Sequence, residues 1–167
     1  NLGERDRVAI VVYAGAAGLV LPSTGDKRQV TDAIDRLKAG GSTAGGAGIQ
    51  LAYAVAAEGF LKEGVNRVIL ATDGDFNVGV TSQGDLLCLI EEKRKTGVFL
   101  SVLGFGQGNL KDSTMEKLAD QGDGNYFYVD GPQEAERVFR ENLTGMLQTI
   151  ATQAKVLRAL QEGVITR

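Results

Sequence analysis

The sequence predicts an α/β domain with a doubly wound, mostly parallel sheet, one antiparallel edge strand and helices on both faces. Short apolar, β-branched runs alternate along the chain with segments whose apolar residues recur at helical spacing. The 23 glycines greatly outnumber the 2 prolines and lie between apolar segments, which indicates tight turns rather than a disordered linker. A chain of 167 residues has the length of one domain.

Two strands are predicted at the start of the chain. Val8–Tyr13 is continuously apolar, which is typical of a parallel strand buried on both faces. Ala17–Leu21 follows after a turn too short for a helical crossover, so it is predicted to pair antiparallel at the sheet edge and to end at Pro22.

Two helices are predicted next. Asp26–Ala39 places Val30, Ile34 and Leu37 at helical spacing. Ala47–Lys62 is rich in small residues that permit close packing on a sheet. Its apolar positions are Ile49, Ala52, Val55, Ala56 and Phe60.

The middle of the chain continues the alternation with a strand over Val65–Thr72 and a helix over Gly84–Lys95. Ser82 followed by Asp85 resembles a capping box at the start of that helix. Cys88 has no second cysteine to pair with, and its apolar neighbours predict a position in the helix core.

A further strand over Val98–Gly104 leads to a short helix, for which Ser113 and Glu116 form a capping pair. Tyr126–Val129 is the last clear strand, and Pro132 suits the first turn of another helix. The short helix is expected to bury Met115, Leu118 and Ala119.

The C-terminal tail is predicted to form one long amphipathic helix packed on its own sheet. Its apolar stripe consists of Leu143, Met146, Ile150, Leu157, Leu160 and Val164.

Composition excludes several functions. The absence of histidine removes the usual general base, the ordinary serine-hydrolase triad and most zinc sites. With 18 Lys and Arg against 21 Asp and Glu, the chain lacks the excess of basic residues that binding to the phosphates of nucleic acid requires. No apolar run reaches the roughly 18 residues that would span a bilayer. These properties favour a non-enzymatic domain that contacts neither nucleic acid nor membrane.

One pair of motifs points to a site. Asp73 ends the apolar run Val68–Thr72 and is followed by Gly74, so it is placed at the carboxyl end of a strand, where open α/β sheets bind ligands. Thr43, after two glycines and a serine, opens a helix whose start could meet it there. The residues alone are also compatible with Thr43 as a helix cap and Asp73 as a turn residue.

Together the segments GGST (Gly40–Thr43) and TDGxxN (Thr72–Asn77) resemble the von Willebrand factor A family, especially its bacterial members. The resemblance covers residues 1–155 as one domain, whereas residues 156–167 are an unmatched, helical tail. The family's first central strand and its DxSxS metal loop have no counterpart in this chain. The resemblance therefore implies a sheet without its usual first strand, whose two halves pair directly, receive a strand from a partner or a second copy, or belong to a longer gene product.

The resemblance implies that Thr43 contributes a hydroxyl ligand and Asp73 a carboxylate ligand to Mg²⁺, or to Mn²⁺ or Ca²⁺. A Glu or Asp of a protein partner would complete the coordination shell. Magnesium prefers about six oxygens near 2.1 Å, so two remaining ligands predict binding that is absent or about millimolar at best. Ser42, Asp75 and Asn77 either support these loops or serve as turn residues.

The predicted function is protein recognition, as an adhesion or scaffold module, through the loops around Thr43, Asp73 and Gly106. The resemblance suggests a bacterial cell-envelope or periplasmic setting. One alternative is a nucleotide-binding enzyme that uses the glycine-rich turns Gly40–Gly48 and Gly104–Asn109, although no GxxxxGK[ST] motif occurs. The other is a truncated copy of the fold without ligand function.

Overall fold

The computed structural model describes residues 3–13, 17–38, 45–72, 83–106 and 112–142. Strands and helices alternate along most of this length, as the sequence predicts. In chain order the elements are β1 (Val8–Val12), β2 (Gly18–Thr24), α1 (Lys27–Asp35), α2 (Gly45–Glu58), β3 (Asn66–Thr72), α3 (Gln83–Lys95), β4 (Val98–Phe105), α4 (Asp112–Gln121), β5 (Tyr126–Val129), α5 (Pro132–Arg137) and a π-helical turn (Val138–Asn142).

Three parallel strands form the main sheet in the order β3-β4-β5. Strand β4 is central and is buried along most of its length, and helices α2, α3 and α4 contact it. The predicted doubly wound α/β architecture is confirmed for this part of the chain. No helix of the described residues is long and apolar enough to cross a bilayer.

Strands β1 and β2 form a separate antiparallel sheet. The predicted antiparallel pairing of the second strand is confirmed, because β2 pairs antiparallel with β1. The prediction that Val8–Tyr13 is buried on both faces was wrong, since β1 is mostly half-buried, and the described residues give it no parallel partner. Strand β2 also continues through Pro22, beyond its predicted end. Pro22 lies where the register shifts between Val8 and Ile10, and the missing N–H group of proline is tolerated at such an irregularity.

The two sheets are not joined by strand pairing within the described ranges, although helix α2 contacts both. Direct pairing of the two halves is therefore not what this structure shows. Supply of a strand by another chain stays a prediction.

The main core lies on the face of the parallel sheet that carries α2, α3 and α4. A smaller cluster on the opposite face joins Leu103, Val129 and Val138, next to α5. The buried residues of the main core are Ile49, Tyr53, Val68, Leu70, Leu86, Ile90, Val98, Leu100, Val102, Met115, Leu118 and Ala119.

Helix α1 is shorter than predicted and buries a different residue. The Asp26 carboxylate accepts a hydrogen bond from the Arg28 amide at 2.9 Å and caps the helix. Ile34 and Leu37 are exposed, whereas Ala33 is buried. The apolar spacing therefore identifies the helix correctly but not the side that faces the sheet.

Two further predictions about side chains need correction. Cys88 is exposed on α3, because Leu86 and Ile90 take the buried side of the helix and a residue two positions from each points away. Helix α4 begins at Asp112, so Ser113 lies inside its first turn rather than at its cap. Ser82 lies outside the described residues.

Candidate functional site

The carboxyl ends of β3, β4 and β5 lie side by side at Thr72, Phe105 and Val129, and we call this edge the carboxyl rim. The strands are parallel and in register, so the connections that follow all three begin at the same edge. Ligands of open α/β sheets bind in the crevice outside this edge. The rim is therefore where a functional site is expected.

Tyr13 connects the rim to α2 and to the end of β1. Its hydroxyl donates a hydrogen bond to the Ala71 carbonyl oxygen at 2.5 Å, one residue before the end of β3. A β-carbon on Gly48 of α2 would overlap the Tyr13 β-carbon, so helix and tyrosine are in close contact there. The end of β1, the first half of α2 and the end of β3 consequently converge at one place.

The glycines in the first turns of α2 let neighbouring residues pack close to the helix backbone. Gly45, Gly46 and Gly48 are all buried, although glycine is a poor helix former and costs about 1 kcal/mol per residue relative to alanine. At Gly48 the contact with Tyr13 explains the residue, because any side chain there would push the tyrosine away. The start of α2 is thus set by packing against the rim rather than by helix propensity.

Gly106 closes the rim on the β4 side. Its amide donates to the Val129 carbonyl at 3.3 Å, and its own carbonyl accepts from the Tyr128 hydroxyl at 2.7 Å. Its φ of 151° belongs to a region that L side chains rarely adopt. Because both backbone groups of Gly106 bond to β5, this glycine does not present a donor to a phosphate, which counts against the nucleotide interpretation.

Thr43 and Asp73, the two predicted metal ligands, lie outside the described residues, as do Ser42, Asp75 and Asn77. Their described neighbours are Gly45, the first residue of α2, and Thr72, the last residue of β3. Both of these elements meet at Tyr13. Among the residues that the structure describes, no group of three or more His, Cys, Asp or Glu side chains is placed to hold a metal ion.

Tyr53 is a buried polar residue that the sequence reasoning missed. It lies on α2 with 1% of its surface exposed, and its hydroxyl has no hydrogen-bond partner among the described residues. Burial raises the pKa of this phenol above its usual range. The spacing of four from Ile49 to Tyr53 could have placed it on the buried side of the helix.

Arg67 forms a second unpredicted polar cluster within the sheet. Its guanidinium donates to the Ser101 hydroxyl at 2.7 Å and lies 5.5 Å from the centre of the Phe99 ring. The same hydroxyl accepts from the Asn125 amide at 3.2 Å. Partial burial lowers the pKa of Arg67. These contacts tie β3, β4 and the start of β5 together near the end of the sheet opposite the rim, so we assign them a structural role.

The link at Tyr13 gives a testable expectation. Tyr13→Phe removes the hydrogen bond to Ala71 and is expected to lower the free energy of unfolding by about 1 kcal/mol. Gly48→Ala forces the ring to move and is expected to cost about 1–3 kcal/mol. Urea unfolding monitored by circular dichroism measures both values. Unchanged midpoints for both variants would show that Tyr13 does not hold the rim.

Comparison with known proteins identifies one domain family. Residues 1–141 match the model of the von Willebrand factor type A domain. YfbK of Escherichia coli (strain K12) is 45% identical over 157 residues. That alignment covers 93% of this chain but 27% of YfbK, so the chain spans about a quarter of that relative.

Two solved structures have the same fold. BatB from Bacteroides thetaiotaomicron matches with a TM-score of 0.70 and 22% identity, over 87% of this chain and 80% of BatB. The mussel byssus protein PTMP1, with a zinc-occupied MIDAS motif, matches with a TM-score of 0.59 and 22% identity, over 82% of this chain and 35% of that protein. The match over residues 1–141 and the similarity to YfbK show that this chain belongs to the von Willebrand factor type A domain family.

Proposed function

We propose that this domain is a non-enzymatic protein-recognition module that binds its partner at the carboxyl rim. The observation that carries the proposal is the convergence of the end of β1, the first half of α2 and the end of β3 at Tyr13. Thr43 precedes the first residue of α2 by two positions, and Asp73 directly follows the last residue of β3. The convergence of α2 and β3 supports a surface shared by these two residues.

Thr43 and Asp73 do not make a complete metal site. Thr43 supplies one neutral oxygen and Asp73 one carboxylate, whereas magnesium prefers about six oxygens in octahedral order. The described residues add no acidic cluster to them. PTMP1, which shares the fold, has a zinc-occupied MIDAS motif, and this supports testing the present chain with divalent cations. In this chain the residues present do not fit a tightly held ion, so binding of Mg²⁺, Mn²⁺ or Ca²⁺ by the domain alone is weak or absent.

A protein partner would supply what the incomplete metal site lacks. A Glu or Asp side chain of a protein ligand would add the missing negative charge and oxygen, so cation and partner would each strengthen the binding of the other. A non-enzymatic role is supported by the absence of histidine from the sequence. The bacterial origin of YfbK supports a bacterial setting, and we propose the cell envelope as the location.

Titration of Mg²⁺ into the domain tests this proposal. We expect a dissociation constant of about 1 mM or weaker for the domain alone, and tighter binding in the presence of a saturating peptide that carries a central glutamate. Asp73→Asn and Thr43→Ala should abolish this gain in magnesium affinity from the peptide. Asp120→Asn, at an exposed position on α4, should preserve it.

Isothermal titration calorimetry measures all of these constants. A micromolar one-to-one constant for the domain alone would refute the incomplete site. Recognition by way of Asp73 would be refuted if the glutamate peptide and its glutamine version behaved alike with magnesium present. Nucleotides serve as a further comparison, and a thermal shift with ATP but not with metal and peptide would favour the nucleotide interpretation.

A further inference from the structure

The side of β2 that faces away from β1 is a free strand edge. Among the described residues β2 pairs only with β1, and none of the residues of β2 carries a charge. Leu19 and Val20 are 45% and 39% exposed, so two successive residues, which point to opposite faces of the strand, are both poorly covered. The unpaired N–H and C=O groups of such an edge can bind another strand, which natural proteins usually prevent with charged side chains or proline. Pro22 blocks only part of this edge, so Gly18–Leu21 can still pair.

A groove lies along the free edge, between β2 and α1. Its volume is about 250 Å³. Of the described residues only members of β2 and α1 line it, which places its opening on the side of β2 away from β1. Leu21 and Ala33 are buried at its base, whereas the other lining residues are exposed. The lining residues are Val20, Leu21, Gln29, Asp32, Ala33 and Arg36.

The charges that line the groove complement a second copy of themselves. Asp32 and Arg36 lie four positions apart, so they share one side of α1 and carry opposite charges. Neither forms an ion pair with another residue that the structure describes. Both charges are therefore available to a partner that presents the opposite pattern.

Antiparallel pairing at the free edge would supply that pattern. If β2 pairs antiparallel with β2 of a second copy, a twofold axis perpendicular to the sheet relates the two copies, and both α1 helices lie on the same face. These helices then run antiparallel, so Asp32 of each copy faces the region of Arg36 of the other. Every such contact occurs twice, and the opposite charges attract.

We propose that a second copy of this chain binds at the free edge of β2, with the segments Gly18–Leu21 of the two copies paired antiparallel and the two α1 helices side by side. This edge lies on the opposite side of the antiparallel sheet from the gap between the two sheets, so the contact differs from the supply of a strand to that gap. The inference does not depend on recognition at the carboxyl rim. Because the ladder is short, we expect the dimer to dissociate on dilution.

Sedimentation equilibrium of the full chain over a wide range of concentrations tests the proposal. We expect a reversible equilibrium between monomer and dimer. Val20→Lys places like charges close together in the groove region of both copies and is expected to weaken the dimer about tenfold or more.

Ile34→Lys is the matched control for Val20→Lys. Ile34 is 53% exposed, and because it lies two positions from both Asp32 and Arg36 it projects from the opposite side of α1. The control loses an exposed apolar side chain and gains the same charge, yet it should leave the dissociation constant unchanged. Circular dichroism verifies that both variants remain folded.

Charge reversal tests the pairing of the two α1 helices. Asp32→Arg and Arg36→Asp each place like charges across the twofold axis, so each variant alone is expected to dimerise more weakly than the original chain. An equimolar mixture of the two variants restores opposite charges across the axis, and native mass spectrometry should show the mixed dimer in excess over either homodimer. Since the mixture contains the same two chains, a loss of helix stability in a variant cannot produce this gain.

Three results would overturn the proposal. A chain that is monomeric at all concentrations would leave the free edge to a strand of another protein. A dimer that persists in Val20→Lys, or that Ile34→Lys weakens equally, would place the contact on another surface. Absence of the mixed dimer would show that the α1 helices do not meet across a twofold axis.

Discussion

Gly124→Ala is expected to lower the free energy of unfolding by about 3 kcal/mol or more. A β-carbon at Gly124 would overlap the carbonyl oxygen of Leu100 and would lie 2.9 Å from the Ser101 hydroxyl oxygen. The Leu100 carbonyl belongs to the backbone of β4, the central strand, and cannot rotate aside as a side chain can. The Gly124 amide is also held in place by a 2.9 Å hydrogen bond to the Ala119 carbonyl. The segment that leads into β5 would therefore have to move as a whole.

Urea unfolding at 25 °C measures this effect, and Gly18→Ala provides the control. The nearest atom to a β-carbon at Gly18 is a methyl of Val12 at 3.9 Å, which is ordinary contact. We expect Gly18→Ala to be neutral or to stabilise by up to about 1 kcal/mol, because alanine restricts the unfolded chain. Similar midpoints for the two variants would show that the approach of Gly124 to β4 is not required for folding.

The parallel sheet was the part of the fold that the sequence predicted best. The runs that became β3, β4 and β5 are apolar and bounded by turns, and their predicted limits lie within one residue of the observed ones. Burial on both faces selects such a run directly in β4, whereas β3 alternates buried and more exposed residues, as a strand covered mainly on one face does.

Relationships between elements were harder to predict, for a physical reason. The apolar run of β1 is as continuous as that of β4, yet β1 is only half-buried and pairs only with β2 in the described chain. Hydrophobicity indicates that a segment avoids water, but it does not indicate which other segment pairs with it. The same limit explains Ile34, whose helical spacing was recognised although the residue faces outward.

The candidate site depends on information that periodicity does not contain. Thr43 and Asp73 were predicted from motifs in loops, and because they lie outside the described residues their roles stay predictions. Tyr13 was predicted as the last residue of a strand, whereas its hydroxyl donates a hydrogen bond to the Ala71 carbonyl of β3. A contact between residues 58 positions apart follows from how β1, α2 and β3 are assembled and not from any local pattern.

Tyr53→Ala is expected to cost about 3–5 kcal/mol, in the range found for large aromatic core residues. Tyr53 is 1% exposed and belongs to the main core on α2, so truncation leaves a cavity beneath the helix that carries the glycines of the rim. Chemical denaturation measures the loss. A cost below about 1 kcal/mol would mean that the surrounding side chains collapse into the cavity and that the helix is not held by this ring.

Tyr53→Phe separates the ring from its hydroxyl. A buried hydroxyl that lacks a partner costs about 1–3 kcal/mol, and the Tyr53 hydroxyl has no partner among the described residues. We therefore expect the phenylalanine variant to be as stable as the original chain or more stable by about 1 kcal/mol. A clear loss of stability would instead reveal a hydrogen bond from Tyr53 to a residue outside the described ranges.

The same substitution should remove a specific pH dependence. An unfolded tyrosine ionises near about pH 10, whereas burial raises the pKa of Tyr53 so that the folded protein keeps the phenol proton at higher pH. Above about pH 10 the unfolded state binds fewer protons than the folded state, so the contribution of Tyr53 to the free energy of unfolding falls by up to about 1.4 kcal/mol per pH unit. This contribution is complete below pH 10 and is lost as the pH rises. The two proteins differ only in this hydroxyl, so the difference in slope between the original chain and Tyr53→Phe isolates this one phenol. Equal slopes would mean that the Tyr53 hydroxyl is open to water.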